Sequence, residues 1–205
     1  MKFILLILFT ILIYYYLLNP IKEVYYINID FELKRKKTFL NNYLKQGFND
    51  IPLIRISGIV PDFGNEVLSR GQLGCALSHI KVLNIISREK KYGWYLICED
   101  DCIGNFNKIY WKTFLITRFR KNVKIINLYC PIHLNPGKKF GSRTTCYMVT
   151  PEGAKICKDT ILRFINKYPC DIALNKSSII SKYSRHMHIM EISNLKSSIQ
   201  QVDSL

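Results

Sequence analysis

Apolar and polar positions along this chain follow two periods. Val24 to Ile29 (VYYINI), Pro52 to Ser57 (PLIRIS), Trp94 to Ile97 (WYLI), Val123 to Tyr129 (VKIINLY) and Thr144 to Thr150 are short apolar runs rich in β-branched and aromatic residues, and each predicts a strand. Between them lie longer stretches whose apolar residues recur three and four apart. Phe39, Leu40, Tyr43 and Leu44 give one face to a helix from about Lys34 to Gln46, which Gly47 ends. Ser69-Arg70-Gly71-Gln72 has the form of a capping box, and Leu73, Ala76, Leu77, Ile80 and Leu83 carry the following helix to about Arg88. Phe106 to Arg120 reads as a third helix. Thr150 and Pro151 open a fourth, as cap and first residue, with Ala154, Cys157, Ile161 and Phe164 as its buried stripe.

Strands alternating with helices predict an α/β sandwich with a mainly parallel central sheet. The sequence contains neither internal repeats nor low-complexity segments. From about Ser177 it turns polar and loses periodicity, so residues 177–205 are expected to form a polar tail, partly disordered. At the other end, the 19 residues from Phe3 to Ile21 carry no charge. As a helix they would reach roughly 28 Å, close to the ~30 Å of bilayer hydrocarbon. No small-x-small cleavage pattern follows Leu18, so residues 1–21 predict an uncleaved signal-anchor transmembrane helix that ties the protein to a membrane, with residues 22–176 as the domain behind it. A buried first helix or strand of that domain is the alternative. Lys22 and the cluster from Lys34 to Lys37 tilt the domain toward the cytosol, but charges within a folded domain count less under the positive-inside rule, and the side of the membrane stays open.

The 205 residues less these 21 leave 184, enough for one well-buried domain and too few for two. A net charge of +15 and a pI near 9.5 favour a phosphate-bearing or polyanionic partner, or an anionic membrane surface. The basic residues form no single stripe interleaved with stacking aromatics, which argues against nucleic acid. Seven cysteines, scattered and odd in number, make no disulfide framework. Most lie in apolar runs, where cysteine acts as a small buried hydrophobe. Cys98 and Cys102 stand four apart, and a zinc site there would need further ligands that the sequence does not point to.

The chemistry concentrates in Trp94 to Cys102, WYLICEDDC, where an apolar strand stops at Glu99, Asp100 and Asp101. In an open α/β sheet, groups released beyond the carboxyl end of a strand line a cleft. Adjacent carboxylates repel by about 1 kcal/mol per close pair in water and up to about 4 at an effective dielectric near 20, and a cation relieves this. In extended chain Glu99 and Asp101 project to the same side, so they could converge on one divalent ion, and oxygen ligands suit magnesium or manganese. A solvated acidic turn capping the next helix explains the same residues equally well.

Taken in order, four blocks resemble glycosyltransferase family 25, which includes lipooligosaccharide and procollagen galactosyltransferases. YYINIDFELKRKK carries Asn28, Asp30 and Arg35. GQLGCALSHIKVL, residues 71–83, carries the Ser78-His79 pair. WYLICEDDC ends in Glu-Asp-Asp, with Cys98 and Cys102 where aliphatic residues are usual. SRTTCYMVTPEGAK and YPCDIAL close the series at Asp171. The resemblance spans roughly Val24 to Leu174.

That resemblance implies a GT-A type (Rossmann-like) fold, a nucleotide-sugar donor such as a UDP-hexose, and a manganese or magnesium ion at the acidic motif. It implies transfer of galactose or glucose to a hydroxyl of a glycan or protein acceptor. On this reading Glu99 and Asp101 hold the metal, with Asp101 as the direct ligand, and Asp100, Asn28, Asp30, Arg35, Ser78 and His79 bind the donor or support its cleft. Transfer with inversion requires a base for the acceptor proton, and Asp171 is the candidate. Each has a plainer alternative: a core histidine at His79, a solvated cation at Arg35, a helix cap at Asp171. His133, His186 and His188 have no spacing that marks a metal ligand. A polyanion-binding module and an inactive membrane-anchored relative are the competing classes.

Overall fold

The computed structural model describes residues 7, 9–10, 20–46, 51–129, 143–187 and 189–192. Six strands form the main sheet: β1 (Ile21–Asn28), β2 (Leu53–Ser57), β3 (Trp94–Glu99), β5 (Ile125–Asn127), β6 (Cys146–Val149) and β7 (Ser184–His186), in the order β2-β1-β3-β6-β5-β7. A second pair, β4 (Cys102–Gly104) and β8 (Met190–Ile192), forms a short antiparallel ribbon. β1 runs parallel to β2 and β3, and β5 to β7, while β6 is antiparallel to both its neighbours. The sheet is thus mostly parallel, as the pattern predicts, with one reversed strand inside it.

Among the described residues, these helices cover the two faces: α1 (Leu33–Leu44), α2 (Arg70–Ile86), α3 (Phe106–Phe119), α4 (Pro151–Phe164), α5 (Cys170–Lys176) and α6 (Ser178–Tyr183). The capping box forms as its sequence requires, with the Ser69 side chain accepting from Gln72 N–H and Ser69 N–H donating to Gln72 Oε1. Thr150 caps α4 by accepting from Gly153 N–H at 3.1 Å, ahead of Pro151.

Two apolar clusters make a three-layer sandwich. Trp94, Leu96 and Cys98 of β3 pack with Phe39 and Tyr43 of α1 and Phe106 and Ile109 of α3; Tyr95 and Ile97 pack on the opposite face with Val82, Leu83 and Ile86 of α2 and Ala154 and Cys157 of α4. Burying a side chain such as Leu96 or Ile97 contributes roughly 1.5–3 kcal/mol. A one-residue slip of β3 would exchange the faces and drive Glu99 into the apolar α1 layer, so the register that builds the core also aims the acids.

Two regions differ from the pattern. β1 begins at Ile21, not Val24, because Pro20 C=O accepts from Trp94 N–H at 3.0 Å and Ile21 is buried. The end of the apolar stretch expected to span a membrane therefore belongs to the sheet. Among the described residues no helix is long and apolar enough to cross a membrane, and most of the expected span lies outside them, as does Gly47. In place of an aperiodic tail at Ser177, the chain builds α6, capped by Ser177, then β7 on the sheet edge and β8 against β4. Residues 193–205 lie outside the described part.

Candidate active site

The sheet order reverses between β1 and β3. The β1-α1-β2 crossover lays α1 on one face, and the β2-α2-β3 crossover lays α2 on the other. This is the switch point at which open α/β sheets form a crevice beyond the strand ends. Asn28, Ser57 and the turn Glu99-Asp100-Asp101 all emerge there.

The three acids take separate partners. Asp100 is 3 % exposed and turns toward α1, where Arg35 meets Oδ1 through Nε at 2.7 Å and Nη2 at 2.5 Å. Asn28 Nδ2 donates to Asp100 Oδ2 at 2.7 Å and to Glu32 C=O at 3.2 Å. Arg35, itself 2 % exposed, also reaches Asp101 Oδ2 at 3.2 Å. It is therefore a buried strut beneath the acid turn. It is not the solvated cation of the plainer alternative, and its guanidinium fork spans two carboxylates. Burial pushes the Asp100 carboxyl upward against the pull of Arg35 and Asn28.

Glu99 turns to the α2 side. His79 Nε2 lies 3.2 Å from Glu99 Oε1, and Thr144 Oγ1 donates to the same oxygen at 2.8 Å. His79 Nδ1 lies 2.9 Å from the Tyr147 hydroxyl. Burial raises the Glu99 carboxyl, but hydrogen bonding and charge from His79, with Thr144 and Arg35, outweigh it and hold Glu99 below the usual carboxylate range. His79 is thus buried, and it orients an acid at the crevice.

Asp101 is left under-compensated. It is 6 % exposed, and its Oδ1 is buried with no hydrogen-bond partner. Burial, then the charge of Glu99 and that of Asp100, raise its carboxyl to about 7 against the pull of Arg35. A buried carboxylate oxygen without a donor costs of the order of 1–3 kcal/mol and is the donor a hard cation takes. No trio of described residues that includes both Glu99 and Asp101 brings its ligand atoms within 4.8 Å of one another. The residues fit a magnesium-like ion held by one or two carboxylates and completed by substrate oxygens, and they do not form a closed protein cage.

The other expected residues fall in distinct places. Asp30 is exposed just past β1, pairing with Arg55 at 2.5 Å and accepting from Ser57 Oγ at 2.9 Å. Ser78 is a tether: its hydroxyl donates to Gly74 C=O at 2.7 Å and accepts from Ile59 N–H at 2.8 Å. A Cβ on Gly74 would collide with the Ile59 carbonyl, so this glycine lets the 58–61 segment lie against α2. Asp171 lies in the first turn of α5, whose N-cap is Pro169, and its charge reaches Cys75. It is therefore not the cap itself. His133, His188 and the side chain of His186 lie outside the described residues.

Sequence reading passed over Cys75, Thr144 and Tyr147. Cys75 stands one helical turn before His79, and its sulfur lies within 4.8 Å of the ligand atoms of His79 and Glu99. The i, i+4 spacing of Cys75 and His79 was a visible signal. Thr144 and Tyr147 reach Glu99 and His79 only through the pairing of β6 with β3.

The profile of glycosyltransferase family 25 (LPS biosynthesis protein) matches residues 61–174, more than half of the chain. No curated protein matches the sequence. Among solved structures, a glycosyltransferase involved in the glycosylation of the major capsid of PBCV-1 superposes with a TM-score of 0.54 at 13% identity, covering 90% of this chain and 97% of that one. Its similarity is one of fold. A197 from STIV gives a TM-score of 0.48 at 11% identity, covering 86% of each chain.

Proposed function

The chain belongs to glycosyltransferase family 25, and from that premise we propose that it moves galactose or glucose from a UDP-linked donor to a hydroxyl of a glycan or protein acceptor, with manganese or magnesium at Asp101 and Glu99. The observation that carries the reading is Asp101 Oδ1, a buried and unpartnered carboxylate oxygen at the switch-point crevice. Bound there, the ion would neutralise charge developing on the diphosphate leaving group.

The chain's own groups supply the rest. Arg35 and Asn28 hold Asp100, which fixes the turn and presents Asp101. His79 and Thr144 keep Glu99 ionised and aimed at the crevice. Asp30, Arg55 and Ser57 form a polar group at the ends of β1 and β2 that suits the hydroxyls of the donor nucleoside. Asp171 is the base that takes the acceptor proton in this proposal; its support is its place in α5, on the Glu99 side of the sheet. The net charge of +15 draws an anionic donor.

The test is a donor screen by thermal shift, followed by an assay of UDP release, each with and without manganese. The proposal expects a UDP-hexose to stabilise the protein only with metal and to be hydrolysed slowly in its presence. Stabilisation or hydrolysis that is indifferent to manganese and magnesium would overturn it.

A further inference from the structure

Cys98, Cys102 and Cys146 converge on the α1 side of the sheet, beneath the acid turn. Their sulfurs all lie within 4.8 Å of one another, Cys98 Sγ and Cys146 Sγ are 3.4 Å apart, and all three residues are fully buried. Register creates this. Glu99 N–H donates to Thr145 C=O at 2.8 Å, so residues 99 and 145 form a hydrogen-bonded pair. The adjacent partners Cys98 and Cys146 then form a non-hydrogen-bonded pair, whose side chains stand closest. Cys102 enters from β4, which β8 holds in place.

An apolar core that needs only bulk is met by valine or leucine at each place; three sulfurs within coordination range of one point make a donor set. Thiolates select soft ions and discriminate against the manganese and magnesium that suit the carboxylates above. Met148 and Met190 belong to the same apolar cluster, so its polarisable character extends beyond the cysteines. The placement also has a consequence for the turn. Cys98 precedes the three acids and Cys102 follows them, so one ion bound to both, and to Cys146 of the neighbouring strand, would clamp both ends of the turn to the sheet.

We propose that Cys98, Cys102 and Cys146 bind a thiophilic d10 cation, of which zinc is the commonest, as a structural clamp behind the acid turn. Each ligating thiol gives its proton to solvent, and the ion undergoes no redox change.

The experiment uses the full chain purified under reducing conditions and cadmium as a spectroscopic stand-in for zinc, supplied in the growth medium or added to the folded protein. The expected result is one cadmium per chain with sulfur-to-metal absorption in the near ultraviolet, a raised melting temperature, and displacement by zinc. The absorption is retained in Asp101→Ala and in Cys157→Ala, a buried cysteine of the opposite face, and is lost in Cys102→Ala and Cys146→Ala. Wild-type protein that shows no such absorption by either route overturns the proposal, whether or not the variants fold. So does absorption that survives both cysteine variants, or a Cys98–Cys146 disulfide in protein that takes up no cadmium after reduction.

Discussion

Arg35 and Asp100 form a buried ion pair at 2.5 Å, with side chains 2 % and 3 % exposed, and Arg35 also spans to Asp101 at 3.2 Å. One cation thus compensates two carboxylates that repel each other. Removing one partner of such a pair leaves an unpaired buried charge, which typically costs about 3–5 kcal/mol. Arg35→Met should therefore destabilise the fold by about that amount in urea denaturation, with Arg35→Lys intermediate because it keeps the charge and loses the fork. An Arg35→Met variant within about 0.5 kcal/mol of wild type would show that the strut is not structural.

Asp101 ties the same turn to pH. Its carboxyl, raised to about 7 chiefly by burial and Glu99, lies above its unfolded value, so between about pH 4 and 7 the native protein binds more protons than the unfolded chain. Stability therefore falls as pH rises through that window. Without metal, the melting temperature of wild type should drop relative to Asp101→Asn between pH 5 and 8. Manganese, which takes only the ionised form, should stabilise wild type more at pH 8 than at pH 5. Parallel pH profiles for the two proteins would contradict this account.

Ile21 is buried in β1 beside the Pro20–Trp94 hydrogen bond, and the domain is predicted to need the chain from this point. Deleting residues 1–18 should leave the melting temperature of the domain intact. Deleting 1–21 should lower stability by roughly 2–4 kcal/mol, from one buried isoleucine and one backbone hydrogen bond. Equal melting temperatures for the two truncations would place Ile21 outside the cooperative fold.

Much of this arrangement is legible locally. The strand Trp94–Glu99, the Ser69 box and the Thr150-Pro151 start each form where short-range pattern puts them, because their signals lie within a few residues. Long-range pairing is not legible in that way. Cys98 and Cys146 are 48 residues apart, and only the β3–β6 register brings their sulfurs together. β4 and β8 are three residues each, too short for a period to show, and they exist because each pairs with the other. Arg35 was visible in the motif, but its burial depends on α1 lying over Asp100, which no spacing reveals.

Asp171 separates catalysis from support on one substitution. Asp171→Asn should keep the melting temperature and donor affinity and depress transfer to acceptor by about a hundredfold or more, the usual scale for loss of a general base. Pro169 is the N-cap of α5, so the amide removes no cap. Unchanged transfer, measured on the same preparation as melting temperature and donor affinity, would take Asp171 out of the mechanism.

On the proposed function, Asp101 presents a carboxylate to a divalent ion on which donor turnover depends. The direct measurement is the rate of UDP release from a UDP-hexose, with and without manganese, by wild type and by Asp101→Ala at matched folded fractions. The account predicts manganese-dependent release by wild type and its loss in a variant that melts no lower than wild type, since the substitution removes a buried acid that Glu99 and Asp100 repel and whose Oδ1 has no hydrogen-bond partner. Manganese-dependent release by Asp101→Ala at the wild-type rate would contradict it.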